Sequence, residues 1–325
     1  MVLNDRTGIQ HKISEQTRRR VWQAVEELGY VANPAARALA GGRSRVLGIY
    51  TFEAVFPVDF RDFYYPFLLG LEEEAERQDH DLLLFTSASG PDRHRTIYRD
   101  GVNRLRVADG CVLLGRGGPR EELERLVGEP FPVVFVGRRE LHTAPCAYVG
   151  ADYVTATAEV VHHLADLGHR RIAYLSWGDQ GEPTVDRWKG YEQGFQARRW
   201  QVNPTLVRAV EDQEVTTKLV DDLCGEGATA VICQDDVIAE RVWAGACELD
   251  RRIPQDLSIA VLGDPPREPS EERDWTRFKI PRREMGEQAL RALVGLLDAE
   301  ATAELPQLVL PCALKVGATT GPAPA

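Results

Sequence analysis

Three consecutive arginines, Arg18, Arg19 and Arg20, crowd one short amphipathic stretch, and a second group, Arg37, Arg43 and Arg45, surrounds the apolar Leu39. Guanidinium groups clustered in this way suit phosphate oxygens; a solvated basic face is the plainer alternative. Leu39 has no sequence-local core to enter. Beside those bases it fits a wedge pushed between base pairs in a minor groove, with an inert linker as the plainer reading. Other chemistry finds little support. GRGGP at 115–119 follows an apolar run but lacks both the G-x-G-x-x-G spacing and a Gly-Lys-Ser/Thr ending. His162 and His163 are helix neighbours whose rings diverge, which with His169 makes poor geometry for one metal. A G-x-S-x-G elbow is absent from the sequence. The expectation is therefore no catalytic residue, no metal and no cofactor.

The elements that would position these residues are well signalled. Ser14 can cap a helix with Glu15 in its first turn, Val21, Val25 and Leu28 recur at helical spacing, and Gly29 can end it. Arg18–Arg20 then fall in the first half of a helix about four turns long. Asn33 caps a second helix, Pro34 takes its first position, and Gly41-Gly42 stops it. Helices below roughly 12 residues are marginal in water, so this one should order only on a partner. Beyond residue 45, short apolar runs alternate with amphipathic stretches, the pattern of parallel strands joined by helices. Strands are predicted at 46–52, 82–85, 110–114, 133–136, 171–175, 230–233 and 258–262. Helices are predicted at 67–78, with Leu68, Leu71 and Ala75 on one face, and at 155–167. This much defines an α/β domain of uncertain topology.

At 325 residues the chain has ample length for more than one domain. Its net charge of −11 argues against nucleic acid until the count is split: residues 1–45 hold eight Lys/Arg and four Asp/Glu, a net of +4, leaving −15 for the remainder. The six cysteines show no CxxC pair and sit mostly in apolar runs, so buried reduced thiols are expected. With no signal peptide or long apolar span visible, the expected compartment is cytoplasmic.

Several motifs in order and register resemble the lactose-repressor (LacI/GalR) family of transcriptional regulators, across almost the whole chain. VLNDRTG at 2–8 is similar to the end of that family's recognition helix, ISEQTRRRVWQAVEELGY at 13–30 to the third headpiece helix, and NPAARALAGGRS at 33–44 to the hinge helix. HLADLGHRRIAYLS at 163–176, RWKGY at 187–191, AVICQDDVIA at 230–239, RRIPQDLSIAVLGD at 251–264 and IPRREMG at 280–286 follow in step. The family's helix-turn-helix needs about twenty residues before Val2, so the headpiece as written is expected to be incomplete, through a misassigned start, a shortened chain or true loss.

The resemblance implies a periplasmic-binding-protein-like two-lobe sensor of parallel sheets flanked by helices, preceded by a truncated all-α DNA-binding headpiece and a hinge helix. It implies a headpiece remnant at 1–32, a hinge and linker at 33–45, and an effector-binding and dimerisation domain at 46–325. Lobe one is expected at about 46–149 and 279–307, and lobe two at about 150–278 and 308–320, with crossings near Gly150, Phe278 and Leu308. DNA contacts are implied at Thr17, Arg18, Asn33, Ala36, Arg37, Leu39 and Arg43.

In the cleft, the family pattern assigns Phe63 and Tyr64 to the aromatic pair, Arg187 to the gripping arginine, and Asp236 and Asp264 to acids at strand ends; Ser87, Arg116 and Arg138 follow other strands. Two departures change what such a pocket accepts: the family's Asn-Asp stands as Asp235-Asp236, and its Asp near the fourth strand's end stands as Gly137-Arg138. The implied function is an effector-responsive repressor, a homodimer on operator DNA sensing a small polar molecule, most simply a sugar. The alternative is a sugar-binding sensor without autonomous DNA binding.

Overall fold

The computed structural model of the protein describes residues 14–27, 43–52, 63–87, 95–115, 117–265, 273–299 and 304–324. The hinge residues Asn33, Ala36, Arg37 and Leu39, and Arg116 of the cleft set, lie outside them. The first helix, α1 (Glu15–Glu27), starts as expected: the Ser14 hydroxyl accepts from the Thr17 backbone amide at 3.2 Å and satisfies one orphan donor of the first turn.

The α/β body begins with β1 (Val46–Thr51), α2 (Tyr65–Arg77), β2 (Asp81–Phe85), a small hairpin of β3 (Tyr98–Arg99) and β4 (Val102–Asn103), then β5 (Gly110–Leu114). It continues through α3 (Arg120–Val127), β6 (Val133–Val136), β7 (Ala147–Ala151), α4 (Tyr153–Asp166), β8 (Ile172–Trp177), α5 (Glu182–Ala197) and β9 (Val207–Val210). It closes with α6 (Thr217–Gly225), β10 (Ala230–Cys233), α7 (Asp236–Glu248), β11 (Ser258–Val261), β12 (Thr276–Lys279), α8 (Arg282–Asp298), β13 (Gln307–Leu310) and β14 (Ala313–Lys315).

Two six-stranded sheets result, ordered β13-β7-β6-β5-β1-β2 and β14-β12-β11-β10-β8-β9. The two orders repeat one another, and every ladder within them is parallel except β12 with β14. Central strands such as VVFV of β6 and AVIC of β10 are buried throughout because helices cover both faces of a parallel sheet. The chain passes between sheets after β7, after β12 and after β13. β13, which contains Leu308, stays in the first sheet through Leu310, and β12 carries the second sheet through Lys279.

Each lobe is pinned by a close helix pair. In the first, a Cβ on Gly70 of α2 would stand 1.9 Å from the Arg283 carbonyl oxygen, and one on Gly286 of α8 would stand 2.2 Å from that of Phe67; in the second, a Cβ on Gly190 of α5 would stand 2.3 Å from the Val154 carbonyl oxygen of α4. Among the cysteines, Cys111, Cys146 and Cys233 are buried, Cys224 and Cys312 half-buried, and all are free. Cys247 corrects the expectation of burial: it lies on an exposed position of α7.

Candidate functional site

In an open parallel sheet, ligands meet the loops at the strand carboxyl ends, beside the point where strand order reverses. In the first lobe that point lies between β1 and β5, and in the second between β8 and β10. From these ends a single group of side chains assembles. Phe63 and Tyr64 precede α2 and meet edge to face, ring centroids 5.3 Å apart. Phe63 is 39% exposed, and the Arg282 guanidinium stands 4.7 Å from its ring centroid. Arg282 opens α8, is buried, and donates to the Asp264 backbone carbonyl; its Nε has no hydrogen-bond partner. Burial lowers its pKa against the opposing pull of Asp264, Tyr153 and Asp236.

Arg187 reaches the same place from α5. Its Nε donates to the Leu262 carbonyl at 2.9 Å, its Nη1 to the Pro183 carbonyl at 3.2 Å, and its guanidinium carbon lies 4.0 Å from the Tyr153 ring centroid. Two bonds and an aromatic face fix an arginine that is only 8% exposed. Asp264 follows β11 and accepts from Arg277 Nε at 3.2 Å. Of the acid pair after β10, Asp235 has the structural duty: its Oδ1 caps α7 by accepting from the Ile238 amide at 3.1 Å, and its Oδ2 accepts from Trp177 Nε1. Asp236, in the first turn, is half-buried.

Other residues singled out in the sequence lie elsewhere. Ser87 is exposed and engaged by Arg104 through its hydroxyl. Arg138 is taken up by Asp186 and Glu140. Thr17 shares a 2.9 Å hydroxyl contact with Ser14, and Arg43 is tied to Asp298 and the Leu297 carbonyl at the end of α8. Sequence reasoning missed Arg282, Tyr153, Asp186 and Arg139; only Arg282, inside IPRREMG, and Asp186, next to Arg187, had a motif that could have flagged them. A solvent-open groove of about 580 Å³ runs past Lys189, Glu192 and Trp200 on the exposed side of α5 and includes none of the cleft group. Among the described residues, no cluster of three or more His, Cys, Asp and Glu could hold a metal, and no helix is long and apolar enough to cross a membrane.

Two largely parallel sheets with matching strand order, three crossings and functional groups at the strand carboxyl ends define a periplasmic-binding-protein-like two-lobe protein. The periplasmic binding protein-like domain family matches residues 161–320. The maltose regulon regulatory protein MalI of Escherichia coli (strain K12) is 27% identical over 292 residues, 85% of this chain and 82% of the relative. The transcriptional regulator CelR of Thermobifida fusca is 27% identical over 313 residues, 94% of this chain and 90% of the relative. A LacI-family regulatory protein from Chloroflexus aggregans superimposes with a TM-score of 0.71 at 24% identity, covering 85% of this chain and 99% of that one. A LacI-family regulator from Enterococcus faecium with bound ribose has a TM-score of 0.66 at 18% identity, with 85% and 99% covered. Over most of its length the chain is similar in sequence to bacterial transcriptional regulators, and its fold is that of LacI-family regulatory proteins.

Proposed function

We propose that the protein is a ligand-responsive transcriptional repressor that binds operator DNA as a homodimer and takes a small polar effector, a sugar or sugar derivative, between its lobes. One observation carries the reading: Phe63 from the first lobe, Arg282 at a crossing, and Arg187, Asp236 and Asp264 from the second lobe converge at the strand carboxyl ends. An exposed aromatic face suits the C–H face of a pyranose, and an arginine fork beside carboxylates binds adjacent hydroxyls directionally. The Asp264 carboxylate already has a charge partner in Arg277, so ligand hydroxyls can share it without its being left unpaired in the cleft. The ribose-bound Enterococcus faecium regulator points the same way.

On the DNA side, Thr17 and Arg18 of α1 and the hinge residues Asn33, Ala36, Arg37, Leu39 and Arg43 are the proposed contacts, with Leu39 as the minor-groove wedge. The tie from Arg43 to the end of α8 supports a mechanical link from the first lobe to the hinge. A thermal-shift screen of neutral sugars, sugar phosphates and nucleobases tests the ligand class. A ligand at 100 times its dissociation constant stabilises the fold by about 2.7 kcal/mol. A sugar or sugar derivative is expected to give that shift; a shift with nucleobases alone would overturn the assignment.

A further inference from the structure

Gly137, Arg138 and Arg139 leave the carboxyl end of β6 in the first lobe. Gly137 holds φ at 103°, a left-handed conformation that a side chain would strain even with nothing within 4 Å of its Cβ position. Past this turn both arginines meet α5 of the second lobe. Arg138 grips Asp186 with two parallel bonds, Nε to Oδ2 at 2.7 Å and Nη2 to Oδ1 at 2.8 Å. Arg139 Nη1 donates to Glu182 Oε2 at 3.0 Å, and the Glu140 amide donates to Glu182 Oε1 at 3.2 Å. Glu182 and Asp186 are one helical turn apart, so they share a face of α5. The four side chains are 18%, 9%, 9% and 20% exposed, which limits screening by salt.

We propose that Arg138 and Arg139 form an ionic latch that joins the two lobes and sets how readily the cleft opens to its ligand. The proposal rests on the effector cleft argued above and concerns its regulation. A bidentate guanidinium–carboxylate pair is satisfied in one orientation, so the latch specifies a single closed geometry. Water re-solvates all four charges when the lobes part, so opening has a modest net cost, unlike the exposure of an apolar seam. Glu182 stays charged: burial would raise its carboxyl, but its own amide, the Glu140 amide and Arg139 together hold it below the ordinary range. Asp186 directly precedes Arg187, so the latch also fixes the turn of α5 that presents the ligand-gripping arginine. Arg138 acts here as a closure residue, and a ligand that needs the closed form binds more weakly in proportion to any loss of closed population.

Spin labels on exposed cysteines replacing Glu76 in α2 and Gln193 in α5, in a Cys247→Ser background, report the distance between lobes in the protein without ligand. Arg138→Gln with Arg139→Gln should shift the main population to longer distance. The charge swap Arg138→Asp with Asp186→Arg should restore the shorter one, which a merely structural role would not achieve. Should the arginine variants fail to fold by circular dichroism, Glu182→Gln with Asp186→Asn gives the same readout with near-isosteric changes. An unchanged distance in folded variants, or a swap that does not restore closure, overturns the latch. A failed sugar screen accompanied by the distance shift overturns the effector reading alone.

Discussion

Arg187 is the residue on which the cleft turns, because its guanidinium ties α5 to the end of β11 while lying against Tyr153. Arg187→Ala leaves the Leu262 and Pro183 carbonyls without this donor, which should cost about 1–3 kcal/mol of stability and remove the ligand-induced thermal shift. Asp264→Asn keeps the shape and should weaken ligand binding about tenfold with a smaller stability loss, since one charge-assisted acceptor is replaced by a neutral one. A second residue sets a pH dependence. His169 is fully buried; its Nε2 faces the Gly321 carbonyl at 2.9 Å, so Nδ1 accepts from the Thr229 hydroxyl at 2.9 Å. Burial lowers its pKa from 6.5, as it does for His163, whose Nε2 contacts the Thr320 hydroxyl at 2.9 Å. A base with a depressed folded-state pKa leaves the unfolded chain binding more protons below pH 6.5. Stability is therefore complete above that pH and declines as pH falls through it. The melting temperature should drop between pH 7.5 and 5.5, and a constant value would refute the assignment of a neutral, buried His169.

Helices in each lobe approach at glycines, and this approach fixes how the sheets are covered. Gly286→Ala drives a Cβ toward the Phe67 carbonyl, which stands 2.2 Å from that position, so the helices must separate. A loss of about 1–3 kcal/mol is expected, read as a lower denaturant midpoint at unchanged slope. The central strands were legible in the sequence because a parallel strand covered on both faces is a continuous apolar run: 110–114, 133–136 and 230–233 coincide with β5, β6 and β10. Some of the strands not predicted lack that signature: TRFK of β12 carries two bases, and QLVL of β13 is an exposed edge whose pairing with β7 spans more than 150 residues. AYVGA of β7 carries it, but the run is short and interrupted by glycine. The aromatic pair, Arg187 and the two acids came from family register, whereas Asp186 and Arg138 pair across 48 residues and two lobes with no local pattern to announce it. The hinge stretch 33–40 belongs to this scale too: on the sequence alone it is short enough that its helix should form on operator DNA, read as a gain of amide protection there.

For the molecule as a whole, charge is divided between a basic N-terminal segment and an acidic body, an arrangement that directs polyanion contact to one end. Two half-sites on DNA require a dyad, so light scattering at micromolar concentration should give twice the 36.3 kDa chain mass; a monomer alone would contradict the dimer. In the proposed function a sugar or sugar derivative binds between the lobes through the Phe63, Arg187 and Asp264 group. Calorimetric titration tests it most directly, with the best sugar from the thermal screen added to wild-type protein and to Arg187→Ala. The wild type should show one saturable site per chain, and the variant, still folded, should bind at least a hundredfold more weakly, about 2.7 kcal/mol. Undiminished affinity in folded Arg187→Ala would contradict it.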